Sequence, residues 1–196
     1  MFFTAAVPAA AETTQPKQFS IVGATDLSPP IVNQRALPVN QATIANDQPT
    51  RDDVNFPTTL PAGTIVVKTL QRKLYLIEAN NRAISWRVAV GREGFAWKGS
   101  TAITRMAQWP DWRPPLEMLQ REAANGHVIP DFVKGGPSNP LGSRALYLGG
   151  SAYRIHGTDK PWTIGQASSS GCIRMMNADV EVLYSLTKIG THVIVE

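Results

Sequence analysis

The chain has 196 residues, 43% of them hydrophobic and 17% charged, with a formal net charge of +4 at pH 7. This length allows one ordinary domain, or one domain with a tail, and the apolar content is too high for a wholly disordered chain. The single Cys excludes an intrachain disulfide scaffold and a thiolate zinc cluster, three scattered His do not make up a metal site, and the mild charge argues against nucleic acid as a partner.

Composition divides the chain near residue 61. Residues 1–60 hold one of the 15 Gly, seven of the 15 Pro and no Trp or Tyr. Such a segment cannot bury enough apolar area to offset its ordering entropy, and it reads as a Pro-rich disordered tail. Within it, residues 1–11 (MFFTAAVPAAA) resemble the end of a secretory signal with an A-x-A cleavage site, although no basic segment precedes them. The alternative is an Ala-rich start with no targeting role. The apolar run is interrupted by Thr4 and Pro8 and is too short to span a membrane.

Residues 61–196 carry all five Trp, all four Tyr and 16 basic residues against 10 acidic ones. In chain order, β-branched or alternating runs predict strands at 64–69 and 73–77, a turn at 79–82, and a strand at 83–90. Further strands are expected at 100–106, 145–148, 152–156 and 192–195. Pro114-Pro115 can open a helix over 116–124. Asn177 suits the N-cap of a second helix that ends near Leu186, with Val180, Leu183 and Tyr184 at helical spacing. The expected fold is therefore mainly β with one or two short helices, a sandwich or barrel-like domain.

The chemistry concentrates in residues 153–176, YRIHGTDKPWTIGQASSSGCIRMM. A lone Cys is most often a small buried hydrophobe. Cys172, however, follows the polar and flexible Ser168-Ser169-Ser170-Gly171, and Arg174 lies near enough to favour a thiolate. His156 ends a predicted strand ahead of Gly157, where a side chain can project into a cleft. A thiol beside an imidazole is the minimum equipment for nucleophilic acyl transfer. Backbone N–H groups around Gly171 and Cys172 are the natural oxyanion donors, since Gly171 lets the backbone approach closely. His127 reads as a loop residue and His192 as a satisfied core histidine.

His156-Gly157-Thr158, Pro161 to Gly165 and Ser169-Ser170-Gly171-Cys172-Ile173-Arg174-Met175 resemble the signature of L,D-transpeptidase (YkuD-type) catalytic domains. The likeness extends over about residues 61–196. Ser170 stands where some members carry His, and Asp159 where many carry Asn. The resemblance implies a β-sandwich or barrel-like catalytic domain acting on peptidoglycan stem peptides in the periplasm or at the cell wall, with neither metal nor other cofactor. Cys172 would attack the stem, release D-Ala and pass the acyl group to an amine, giving a 3→3 cross-link. The N-terminal amine of an outer-membrane protein is a second implied acceptor. His156 would act as the base, oriented by the backbone carbonyl of Gly157, and Arg174, Ser170 and Gly171 would contact substrate. Reaction with carbapenems belongs to the same picture. A carboxypeptidase or cross-link hydrolase would use the same residues, whereas a non-catalytic wall-binding module would need no thiol.

Overall fold

The structure is a computed structural model that describes Met1, residues 49–93 and residues 95–196. The tail and signal expectations for residues 2–48 lie outside the described residues. Eleven strands form within the described part: β1 (Asp52–Asn55), β2 (Ile65–Lys68), β3 (Lys73–Ile77), β4 (Arg82–Arg87), β5 (Val90–Gly91), β6 (Gly99–Gln108), β7 (Arg144–Leu148), β8 (Arg154–His156), β9 (Ala167–Ser169), β10 (Ile173–Arg174) and β11 (His192–Val195). Two α-helices accompany them, α1 (Leu116–Ala124) and α2 (Asn177–Leu186), with a short 3-10 turn at Pro161–Thr163.

Nine strands pair in the order β1-β4-β3-β2-β11-β6-β7-β8-β10, and β5 pairs with β9 separately. The order is open, so the expected alternatives resolve to a sandwich-like sheet rather than a closed barrel. The long strand β6 produces the fold-over. Its first half pairs with β11 and its second half with β7, with a register shift between Ile103 and Arg105. Such a bulge bends the strand and lets it serve two sheet halves. Between them lies one core that includes Ile65, Leu74, Trp86, Ile103, Leu146 and Ile155, closed by Val180 and Leu183 of α2. β3 and β4 are joined through Asn80 and Asn81, both at positive φ, a conformation that Asn tolerates better than most residues.

Two sequence expectations need correction. The folded part starts before residue 61. β1 pairs with β4 from Asp52↔Ser85 to Asn55↔Arg82. Ahead of it, Thr50 donates from N and Oγ1 to the buried carboxylate of Asp179 at 3.0 and 2.9 Å. Four residues with mostly exposed side chains carry little apolar signal, so composition places the boundary too late. The strand expected over 83–90 ends at Arg87. Beyond it the Ala89 N–H and C=O turn away from β3 and bond to Arg174, each at 2.9 Å. This departure ties the first sheet half to the chain around Cys172.

Candidate active site

Each strand flanking the thiol is short and held by partners distant in sequence. β10 runs parallel to β8 with Ile173 opposite Ile155 and Arg174 opposite His156. Residues alternate between faces along a strand. The two Ile therefore enter the core, at 0–2% exposure, while His156 and Arg174 turn to the other face. On the preceding side, β9 is held by β5, with the Arg92 N–H on the Ser169 carbonyl at 3.0 Å. Cys172 lies in the link between β9 and β10 and lines one cavity of about 320 Å³ together with His156, Arg174, Ser170 and Arg154. Met118 and Arg121 of α1 form part of its wall.

His156 is buried, and its Nδ1 donates to the Gly157 carbonyl at 2.6 Å. Burial pushes its pKa down to about 3; Arg174 and Arg154 add to the effect, and the carbonyls of Gly157 and Leu141 oppose it. The ring is thus neutral at physiological pH. A carbonyl only accepts, so Nδ1 carries the proton and Nε2 keeps a free lone pair.

Cys172 is half-buried, with Sγ 3.8 Å from the Ala152 carbonyl. Burial raises its thiol pKa, and Arg154, the Arg154 backbone N–H and Arg174 counter this only in part. Arg174 does favour the thiolate, as its place in the sequence suggests, but burial is the larger effect. Desolvation outweighs the nearby cations, and the resting pair is thiol and neutral imidazole. Arg174 is itself partly desolvated, and Asp159 favours its charge.

Gly171 has φ +106°, and a side chain there would press into the ring of Tyr153 and the Phe95 carbonyl. Its N–H already donates to Ser169 Oγ at 3.1 Å, and Ser169 Oγ donates in turn to the Cys172 carbonyl. Of the two oxyanion donors expected here, the Gly171 N–H is therefore occupied. Among the described residues the Cys172 N–H donates to no backbone carbonyl. Ser170 Oγ accepts from Arg121 Nη2 at 3.4 Å, which connects the cysteine link to α1. His127 is exposed beside Glu122, outside the cavity lining. His192 corrects the core expectation, because it is exposed and bonds to Ser100 at the sheet surface.

Two residues of the site escape the sequence reading. Arg154 stands two positions before His156 on β8 and shares its face; strand periodicity alone could have found it. Asn177 reads as a helix cap. In the structure Met176 holds the cap position with no side-chain capping bond, and Asn177 is the first helical residue. Its Oδ1 accepts the N–H of Ser143 at 3.0 Å and of Thr158 at 3.1 Å, and its Nδ2 donates to the Thr158 carbonyl at 3.0 Å. Gly142 and Gly157 pack directly on this amide, where a methyl group would collide with Oδ1. Asn177 thereby fixes the residue that follows the carbonyl orienting His156 and ties it to the neighbouring Ser143.

A thiol and a neutral imidazole thus share an arginine-lined cavity at the edge of an open β-sandwich. The chain belongs to the L,D-transpeptidase catalytic domain family (YkuD), whose family model matches residues 62–195. Among curated relatives, the Probable L,D-transpeptidase YbiS of Escherichia coli (strain K12) is 33% identical over 142 residues, covering 70% of this chain and 45% of the relative. The chain thus spans about half the length of the curated relatives it matches. Among solved structures, the Probable carnitine operon oxidoreductase caia from Brucella melitensis is 41% identical with a TM-score of 0.50, covering 78% of this chain and 96% of that one. The L,D-transpeptidase from Mycobacterium smegmatis shares the fold at 15% identity and a TM-score of 0.52, covering 68% of this chain and 58% of that one.

Proposed function

We propose that this domain is a peptidoglycan L,D-transpeptidase working through a thioester on Cys172. The observation that carries the reading is the shared cavity of Cys172 and a neutral His156 whose Nδ1–H is committed to Gly157. In the proposed reaction, Nε2 of His156 takes the thiol proton as Sγ attacks the carbonyl after the L-centre of the stem's diamino acid. The C–N bond to the terminal D-Ala breaks, and the imidazolium returns the proton to the departing amine. An incoming amine then attacks the thioester, loses its proton to His156 and regenerates the thiol as the 3→3 amide forms. The Cys172 N–H is the oxyanion donor in this scheme. Arg174, Ser170 and Gly171 face the substrate, with Arg174 pairing to a carboxylate.

The transpeptidase names of the curated relatives support acyl transfer. The same reading puts the domain in the periplasm or at the cell wall and makes Cys172 a target of carbapenems. A protein amine is the second acceptor in this scheme. Incubation with purified disaccharide-tetrapeptides, followed by mass analysis, tests the proposal. The expected product is a cross-linked dimer lacking one D-Ala, and release of D-Ala with tripeptide alone would make the domain a carboxypeptidase. No change in the substrate would refute the reading.

A further inference from the structure

A row of side chains leads away from Cys172 across the sheet. The parallel pairing Ile173↔Ile155 sets Arg154 of β8 beside Cys172. On the other side of β8, Arg154 faces Tyr147 of β7, and Tyr147 faces Arg105 of β6. Directly opposed residues in such ladders are side-chain neighbours on one sheet face. The Arg105 guanidinium lies 3.5 Å from the centroid of the Tyr147 ring and that of Arg154 lies 5.5 Å from it. Stacking of this kind holds a cation in place without neutralising it. Arg113, 4.5 Å from the Phe132 ring, and Asp111 complete a side cleft of about 290 Å³. Arg154 and Leu141 line both this cleft and the cavity of Cys172, so the two adjoin.

The charge in the cleft is unbalanced. Three guanidinium groups meet one carboxylate, and Asp111 Oδ1 already accepts the Gly135 N–H at 2.8 Å. Among the described residues none of the three arginines forms an ion pair. The Arg154 Nε is buried and has no hydrogen-bond partner. Like charges gathered around one ring repel unless an anion is shared between them. Planar forks of N–H donors match carboxylates bidentately. An uncharged or cationic ligand would leave these demands unmet.

We propose that Arg154, Arg105 and Arg113 form a carboxylate track that binds the free carboxylate groups of the peptide stem and aligns it across Cys172. This inference rests on the proposed function for the identity of the stem. It assigns recognition of a free carboxylate, as opposed to its carboxamide, to residues outside the Cys-x-Arg motif. The carboxylate can belong to the donor stem or to the acceptor stem.

The test measures calorimetric binding of tetrapeptide stems to Cys172→Ala protein, so that turnover is not required. Stems with free carboxylates are compared with amidated ones, in the parent and in Arg105→Gln, Arg113→Gln and the double variant. Thermal melts verify that each variant is folded. The free-carboxylate stem should bind the parent about tenfold or more tighter than the carboxamide, the usual worth of a charge-assisted hydrogen bond. The double variant should lose most of that preference. Equal binding of the two stems by the parent, or a preference unchanged in a folded double variant, would overturn the proposal. With Cys172 restored, slower acylation in the double variant assigns the carboxylate to the donor. Normal acylation with a reduced yield of cross-link assigns it to the acceptor. A carboxylate preference without any acylation would refute the proposed reaction and leave the track standing; acylation without the preference would do the reverse.

Discussion

Replacing Asn177 by alanine removes one side chain and leaves three backbone groups without partners: the N–H of Ser143, the N–H of Thr158 and the carbonyl of Thr158. Each lost bond is worth about 1 kcal/mol net, and a buried group left unpaired costs about 1–3 kcal/mol. The expected loss is about 3–6 kcal/mol, a large share of the 5–15 kcal/mol typical of a domain. Gly157→Ala should also destabilise, because its methyl would meet an Oδ1 that hydrogen bonds prevent from moving aside. In the double variant that methyl enters space vacated by the amide. The two changes should therefore be non-additive by about 1–3 kcal/mol, the double variant being more stable than the sum predicts. Urea unfolding of the four proteins, with midpoints compared at constant slope, measures the cycle. Additivity within about 0.5 kcal/mol would refute the clamp assigned to Asn177.

The resting thiol is neutral, so carbamidomethylation of Cys172 should still be accelerating above pH 9 rather than reaching a plateau near neutrality. A plateau below pH 7 would indicate a thiolate–imidazolium pair. His156→Gln should slow acylation by about a hundredfold or more, the scale of a lost general base, in single-turnover mass assays. The same variant tests pH-dependent stability. His156 is held neutral down to about 3 against an ordinary 6.5, so between these values the unfolded chain binds a proton that the folded one refuses. The wild type should lose stability relative to His156→Gln as pH falls through this window, by up to about 5 kcal/mol in total, and show no such relative change above pH 7. A protein starting at residue 61 should be at least about 2 kcal/mol less stable than one starting at residue 49, because it lacks β1 and the Thr50 bonds to Asp179.

The long paired strands were legible because their signal is local. The runs that became β2, β3 and β11 alternate or are β-branched, and Asn80-Asn81 supplies the turn chemistry. β5, β9 and β10 were not, since strands of two or three residues have no period to detect and exist only through partners far along the chain. The site divides the same way. Cys172, His156 and Arg174 stand out through residue type and spacing, but their protonation depends on burial that no local pattern encodes. Desolvation overcame the arginine charge on the thiol. Asn177 has the residue type of a cap, and only the close approach of Gly142 and Gly157 shows that its amide serves a different purpose.

The central claim is that acyl transfer passes through the sulfur of Cys172. Rapid-quench intact-mass analysis of the protein mixed with a tetrapeptide stem, without an added acceptor, tests it most directly. The predicted species is a protein heavier by the stem minus D-Ala, with the adduct mapping to the peptide that contains Cys172. It should be absent from Cys172→Ala and should disappear when an amine acceptor is supplied. Cross-linked product formed by Cys172→Ala protein, or D-Ala released at full rate with no adduct on Cys172, would contradict the account.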